Sequence, residues 1–370
     1  MTSASEMTTL STWGFEPHFA VCPRCDWRYI YPGDQKVDRC PHCFNAGLTS
    51  LEPNTATLNE NLPYLMPPEL VLPHALTNEK ITDRIRSFAS GIPFPPVDLS
   101  PRNLVTRLQR VYLPVWLVDA STQAEWQMEA GFDYQVVSHQ ERFSDGAGGW
   151  RSEEVKENRI RWEPRRGNLE RNYPNIPVPA LEEHLSLRPT LGEFDATASV
   201  PYSPKAVKGA FSRLPDRSQK DAWPDALPRL QAAASKECQQ AAGADHVRDF
   251  RWSPQFTNRN WTLMLVPLYT SYYLDDERQP QWIILHGQSG AISGTRRASV
   301  KRAQRTAWIA AAVAAVMFLF SLLLGASGVL VPALLPVAGV GIILSVLVAL
   351  GALIPLYAAW NFNRQGEPRK

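Results

Sequence analysis

From Ala307 to Leu324 the sequence reads AWIAAAVAAVMFLFSLLL, and from Val329 to Trp360 it reads VLVPALLPVAGVGIILSVLVALGALIPLYAAW; neither run carries a charge. No other feature of the chain restricts its fold so strongly, because a segment this apolar must satisfy its backbone polar groups internally, and a helix does that within one segment. Roughly 20 apolar residues cross about 30 Å of hydrocarbon as a helix. Each run is long enough, so the prediction is a two-helix transmembrane hairpin over 307–360. A buried hairpin in a soluble protein is the alternative, and this length disfavours it. The second run exceeds what a span needs. Pro332 and Pro336 place its first part in a turn or at the interface, so the second span is expected to begin near Val337. The connector GASGVLVPALLP is too short to be a domain, which puts both ends of the hairpin on one side.

The charges say which side. Arg296, Arg297, Lys301, Arg302 and Arg305 precede the first run, Arg364, Arg369 and Lys370 follow the second, and the connector has no positive residue. Basic residues flanking a span stay in the cytoplasm. The expectation is a multi-pass protein of the inner, cytoplasmic membrane, with its soluble part and both termini in the cytoplasm and the lipid bilayer as one partner. Residues 296–306 form a basic juxtamembrane segment suited to anionic lipid, and 361–370 a cytoplasmic tail. Trp308, Tyr357 and Trp360 stand where interfacial aromatic anchors belong.

The other end carries the most specific chemistry. VCPRCDWRYIYPGDQKVDRCPHC, from Val21 to Cys43, holds two Cys-x-x-Cys pairs separated by fourteen residues. Two residues between cysteines let both thiolates of a tight turn face one centre, and two such turns supply the four sulfurs that tetrahedral zinc prefers. Cys22, Cys25, Cys40 and Cys43 are therefore the candidate ligands of one structural Zn(2+) ion. Pro23 and Pro41 stiffen the two knuckles and leave later amides free to bond to sulfur. His42 lies inside the second pair and is not needed, since four sulfurs close the shell. A closed shell leaves no position for substrate, so the metal is expected to hold the fold and not to catalyse. Disulfides or a redox pair are the alternative. The N-terminus shows no charged-then-apolar leader, and free thiols suit a reducing compartment.

Charged residues are only 20% of the 370 and the formal net charge is +2, less basic excess than a nucleic-acid-driven protein usually carries. The segment TNEKITDRIRSF places Ile81, Ile85 and Phe88 at helical spacing, and SPRNLVTRLQR offers Ser100 as a cap with Pro101 at the first turn. VYLPVWLVDASTQAEWQMEAGFDYQVV reads as a hairpin, and a similar arrangement returns in TLMLVPLYTSYYLDDERQPQWIILHGQSGAISG: a weak internal repeat. Pro114 and Pro267 are expected to mark equivalent strand entries. Between the copies, Leu227, Leu230, Ala234, Cys238 and Ala241 follow a helical period, which makes Cys238 a small buried hydrophobe. The polar, Gly-bearing stretch HQERFSDGAGGWRSEEVKENRIRWEPRRGN reads as a long mobile hairpin or loop.

The fold expected from these readings is multidomain: a flexible tail (1–15), a small β zinc ribbon (16–52), and a Pro-rich linker with two short helices (53–110). An α+β cytosolic domain containing the duplicated hairpin unit follows (111–295), then the juxtamembrane segment and the membrane hairpin. The ribbon, YLPVW, the later LVPLY and HGQSGAISG, the basic stretch and the terminal apolar runs, in that order, resemble an uncharacterised family of bacterial zinc-ribbon membrane proteins. Its members read Tyr-Leu-Pro-Phe-Trp and Asn-Gly-Gln-Thr-Gly where this chain has Val115 for the Phe, and His286 and Ser289 for the Asn and Thr. Such proteins are often labelled helicase-like from the ribbon alone, and no helicase motor motif is present here.

Catalytic motifs are equally scarce. There is no phosphate-binding loop and no His-Glu-x-x-His, and GQSGA falls one residue short of a nucleophile elbow. His286 is the one histidine that invites a catalytic reading. The glycines around it, Gly287 and Gly290, are expected to supply positive φ on either side of a polar tip. The preferred function is a non-enzymatic, membrane-anchored adaptor or scaffold that presents a cytoplasmic surface to a protein partner. The alternative is a membrane-tethered nucleic-acid-binding protein whose Trp27, Tyr29 and Tyr31 stack bases. Against it, the ribbon offers Arg24, Arg28, Lys36 and Arg39 against Asp26, Asp34 and Asp38, a weak field for phosphate. An enzyme with an unrecognised site is a third class.

Overall fold

Three strands several times the usual length, of 36, 30 and 29 residues, organise the protein. A computed structural model describes residues 13–34, 37, 39–51, 66–144, 150–183, 192–327 and 330–365. Most of the 1–15 tail, Lys36, Asp38, Arg369 and Lys370 lie outside the described residues. In chain order the strands are β1 (Pro17–Val21), β2 (Arg28–Pro32), β3 (Thr49–Leu51), β4 (Leu70–Val71), β5 (Gln109–Ser144), β6 (Trp150–Pro179), β7 (Val200–Pro201), β8 (Ala210–Arg213), β9 (His246–Leu274), β10 (Pro280–His286) and β11 (Ile292–Gly294). The helices are α1 (Asn78–Ser90), α2 (Pro101–Thr106), α3 (Gln219–Ala241), α4 (Val300–Ser327), α5 (Leu335–Gly351) and α6 (Ile354–Gln365). The chain forms two compact units: residues 1–114, 183–214 and 265–370, and residues 115–182 and 215–264.

In the first unit the strand order is β11, β10, β9, β5, β8, β2, β1, β3. The ribbon strands continue this sheet. β2 pairs antiparallel with β8 through Tyr29 opposite Arg213, and β8 runs parallel to β5 from Arg110 to Tyr112. The two short helices form as their sequences require. Thr77 caps α1 by accepting from the Lys80 amide, Ser100 caps α2 with Pro101 behind it, and α1 buries Ile81, Ile85 and Phe88. Those three side chains pack with Leu104, Tyr269, Tyr273, Ile283 and Leu285. The same cluster takes in Ala298, Ala303 and Ala359 from the two ends of the apolar hairpin, with Leu356 and Phe362 against it.

A charged clamp fastens α2 to β9. Arg107 grips Asp98 through Nη1 to Oδ2 at 2.5 Å and Nη2 to Oδ1 at 3.1 Å, and the Leu274 amide donates to Asp98 Oδ2 at 2.7 Å. Burial alone would raise the Asp98 pKa. The bonds from Arg107 and Leu274 outweigh it and hold the carboxyl below its ordinary value. A lowered folded-state pKa gives stability that is present above the ordinary carboxylate pKa and lost as pH falls through the folded-state value. Asp98→Asn is expected to cost about 2 kcal/mol at neutral pH and to weaken the acid dependence of the thermal midpoint. Tryptophan-fluorescence melts of detergent-solubilised protein from neutral to acid pH check this, and an unchanged acid limb would refute it.

The second unit is built on the remainder of β5 and β9. β6 pairs antiparallel with β5 from Val115 opposite Pro179 to Ser144 opposite Trp150, with register shifts at Val118/Ala120 and Val137/His139. The polar stretch read as a mobile hairpin or loop is thus mostly regular strand. From His139 to Glu141 and from Glu154 to Arg161 its side chains are mostly exposed on both faces, so apolar alternation, the usual signature of a strand, is missing there. Closer in, alternation is strict: Thr122, Ala124, Trp126, Met128 and Ala130 are buried, while Gln123, Glu125 and Gln127 are exposed. Trp126 lies over Gly167, its cross-strand partner, where a Cβ would stand 2.6 Å from the indole. α3 covers the apolar face. It starts earlier than the sequence pattern suggests, at a capping box between Ser218 and Asp221, and contains Pro224 and Pro228. Its buried stripe is Ala222, Ala226, Leu230, Ala234 and Cys238, so Leu227 and Ala241 leave the stripe and Cys238 packs on Trp126 and Met128.

The prolines fall inside their strands and not at the entries. β5 pairs with β8 as far as Tyr112 and with β6 from Val115, so Pro114 sits between two ladders on that edge, where an amide hydrogen is not needed. Pro267 lies one residue beyond the β9–β10 ladder, which ends with Leu268 opposite His286.

Two helices are long and apolar enough to cross a membrane, Val300–Ser327 and Pro332–Gln365. Pro332 begins a short 3-10 turn, and Pro336 stands at the start of α5, which begins at Leu335. The two helices meet along a seam of small residues at seven-residue intervals: Ala307, Ala314 and Ser321 on one, and Ala338, Ser345, Ala352 and Ala359 on the other, all buried. Opposite Ser321, Gly341 has no room for a Cβ, which would stand 2.2 Å from Ser321 Oγ. This is the packing by which helices approach closely where no hydrophobic effect drives them together. Both ends meet on one side, latched by Asn363: its Oδ1 accepts from the Ala298 amide at 2.7 Å and its Nδ2 donates to the Ala298 carbonyl at 3.0 Å.

Candidate metal centre

Each cysteine pair sits in the same turn. In the first, the Asp26 amide bonds to the Cys22 carbonyl at 2.9 Å; in the second, the Phe44 amide bonds to the Cys40 carbonyl at 3.1 Å. Asp26 and Phe44, each four residues after the first cysteine of its pair, both have φ 54°. Asp tolerates this left-handed conformation; for Phe it is strained, and the turn holds it there. The first turn joins β1 to β2 and the second leads to β3, so the sheet carries both knuckles to one point.

The four sulfurs lie within 4.8 Å of one another. Cys22 Sγ is 3.6 Å from Cys43 Sγ, and Cys25 Sγ is 3.7 Å from Cys40 Sγ. Tetrahedral thiolates about 2.3 Å from a central zinc stand about 3.8 Å apart. A disulfide needs about 2.05 Å, so the cluster fits a metal and not a disulfide, and the cysteines are free. Cys22 and Cys40 are buried, and Cys25 and Cys43 half-buried. The hydrogen bond between Cys25 and Cys40 is the leading effect on both thiols, lowering Cys40 and raising Cys25, while burial raises Cys43. Thiols give up protons as a cation enters, so binding here depends on pH.

Backbone and side-chain groups support the sulfurs. The His42 amide donates to Cys40 Sγ at 3.4 Å, and the Tyr29 hydroxyl lies 3.6 Å from the same sulfur. The His42 ring does not join the cluster. It stacks on Trp27 with centroids 3.9 Å apart and planes 3° from parallel, and burial depresses its pKa to about 4, so it is neutral. Arg213 lies over the Trp27 ring at 4.8 Å, and Trp27 Nε1 donates to Glu183. Trp27 is 1% and Tyr29 0% exposed; only Tyr31 of the three aromatics proposed to stack bases keeps a partly open ring. Two of the three are therefore unavailable to a nucleic acid in this fold.

His286 is also structural. It is buried against Phe194, stacked at 3.9 Å, and its Nδ1 accepts from the Gln288 and Ser289 amides at 3.1 and 3.2 Å. That bond pattern fixes the proton on Nε2 and shapes the HGQSG turn. Only Gly290 has positive φ, at 71°. Gly287 is required for a different reason, since a Cβ there would stand 2.5 Å from the Pro267 carbonyl oxygen. Sequence reasoning missed His74, which sits between Tyr112 and Tyr269 with ring centroids 4.7 and 4.6 Å away and bonds to the Leu268 carbonyl at 3.1 Å. Burial lowers its pKa to about 4. No pattern around PHALT announces it, because its partners are over 30 residues away.

A second surface belongs to the second unit. Gln123, Glu125 and Gln127 of β5 lie beside Asn168 and Glu170 of β6 and Ser253 and Gln255 of β9, lining adjoining hollows along the face opposite α3. Comparison of the chain with protein-family models, with curated proteins and with solved structures gives no match.

Proposed function

We propose that this is a zinc-ribbon protein anchored in the inner membrane that acts as a non-enzymatic adaptor, holding a protein partner near the cytoplasmic leaflet. The observation that carries this reading is the sheet of the second unit. One of its faces is closed by α3, while the other is an open row of amide, hydroxyl, carboxylate and guanidinium side chains, Arg166 and Arg251 among them. Such a mixed face matches a polar protein surface. The four-sulfur set favours zinc, which keeps the ribbon strands at the edge of the first unit's sheet. The resemblance to zinc-ribbon membrane proteins agrees with this arrangement.

The function is tested on full-length, detergent-solubilised protein treated with nuclease. A partner protein is expected to co-purify in fixed ratio and to be lost when Gln123, Gln127 and Gln255 are all replaced by Lys, with metal content unchanged. Retention by the triple variant, or release of the bound material by nuclease, would sink the adaptor reading. Orientation is tested separately. Ser327→Cys is expected to react with a membrane-impermeant thiol reagent outside intact cells, and Val300→Cys only after the membrane is opened. Val300 is used because its neighbour Ser299 is buried. The reverse pattern would invert the protein and remove the reducing-compartment support for zinc.

A further inference from the structure

We propose that the loop from Ile92 to Asp98 is a second membrane contact, whose tip, Val97, enters the boundary between lipid headgroups and acyl chains beside α4. This rests on reading α4 to α6 as membrane-spanning. From Gly91 to Val97 the sequence GIPFPPV carries no charge. Val97 is 80% exposed, more than any other large hydrophobic side chain outside the apolar hairpin among the described residues. A single exposed valine is ordinary on a soluble surface. Its height relative to the spans is what gives it a role.

Backbone and side-chain bonds set that height. The Ser299 amide donates to the Phe94 carbonyl at 2.8 Å, and Arg302 Nη1 donates to the Pro95 carbonyl at 2.6 Å, so the loop is fastened to the first turn of α4. Asn363 brackets Ala298 from the other helix, which brings Trp360, about one turn before it, to the level of the loop. Trp360 is exposed, as are Tyr357 and Trp308, and together they mark the interfacial zone. Arg302, Arg305 and Ile309 follow one another along a single face of α4, and Ile309 is exposed apolar surface. The loop therefore stands directly outward of a lipid-facing stripe.

The tip is also rigid. The Leu99 amide bonds to the Pro96 carbonyl at 3.0 Å, making Val97 and Asp98 the centre of a tight turn, and Arg107 fixes Asp98. Pro96 is buried and Phe94 packs against the core, so Val97 is presented with little ordering left to lose on contact. Arg296, Arg297, Lys301 and Arg305, at and just before the start of α4 where the loop is fastened, are exposed and carry charge suited to anionic headgroups. The bilayer then holds the first unit at a third point besides the two helices.

The test places a benzophenone amino acid at Val97, Val200 or Val316 of the full-length protein in nanodiscs of phosphatidylethanolamine and phosphatidylglycerol. Lipid adducts are counted by mass spectrometry after illumination. Val316 is an exposed mid-helix position in α4. Val200 is exposed but remote: it pairs with Val71, next to the Leu72–Leu265 bond, and Leu265 lies eight residues along β9 from Tyr273, whose hydroxyl accepts from the Arg297 amide. Eight strand residues are about 26 Å. The expected result is abundant adducts at 316, clear adducts at 97 and none at 200. Adducts at 316 with 97 no better than 200 would overturn the loop contact and leave the spans standing. Absence of adducts at 316 would overturn the spans and the loop contact together.

Discussion

Cys22→Ser is expected to empty the metal site and to disorder β1, β2 and β3, leaving α4 to α6 inserted. Purified wild-type protein should carry about one zinc per chain, and the variant none. The apparent binding free energy of small structural zinc sites is about 10–16 kcal/mol and is largely folding free energy, so no single packing change should cost more. The damage should also spread. β2 is joined to β8, and the Leu214 amide bonds to the Arg28 carbonyl at 3.1 Å, so loss of the ribbon exposes an edge of the first unit's sheet. Limited proteolysis should cut the variant between residues 13 and 51 while sparing the hairpin. Wild-type protein that is free of metal and still protease-resistant over this segment would contradict the prediction.

Trp27→Ala is expected to cost about 4 kcal/mol, the usual range for deleting a fully buried tryptophan. The loss includes the His42 stack, the Arg213 contact and the bond to Glu183. Stability and metal retention should fall together, read by urea unfolding in detergent and by metal analysis on the same samples. A variant that unfolds like the wild type and keeps its zinc would show that Trp27 is not the support described. The result also bears on nucleic acid: if Trp27→Ala abolishes binding by destroying the ribbon, the loss is no evidence for base stacking. Tyr31→Ala, at the partly open ring, is the informative substitution for that question.

What could be read in the sequence was what is local. The spacing of Ile81, Ile85 and Phe88, the cap Ser100, the knuckles around Cys22 and Cys40, and the apolar runs after Val300 each depend on residues within a turn or two of one another, and each formed as read. The burial of Trp27 depends on Arg213 and Glu183, more than 150 residues away, and nothing in DWRYIY reports it. The length of β5 and β6 was hidden for another reason. Strands with both faces in solvent need no apolar period, so the stretch from His139 to Asn168 read as a mobile hairpin or loop. Gly287 was noticed but given the wrong work, because the group it makes room for, the Pro267 carbonyl, lies on another element.

The Asn363 latch has a consequence for how the protein is made. Ala359, Leu356 and Phe362 fill the same cluster as Ile81, Ile85 and Phe88, yet they stand near the end of the second apolar helix and are among the last parts of the chain to be made. Domains ordinarily fold as units while the chain emerges; here the first unit closes its core only after α4, the connector and α6 have all been made. If the two apolar helices span a membrane, completion of that core would follow completed insertion, and a chain that stalls before the second helix would leave Phe88 and its neighbours uncovered. Cutting the chain at Gly294 removes Ala298, Ala303 and Ala359 from that cluster and leaves the soluble part in the same unfinished state.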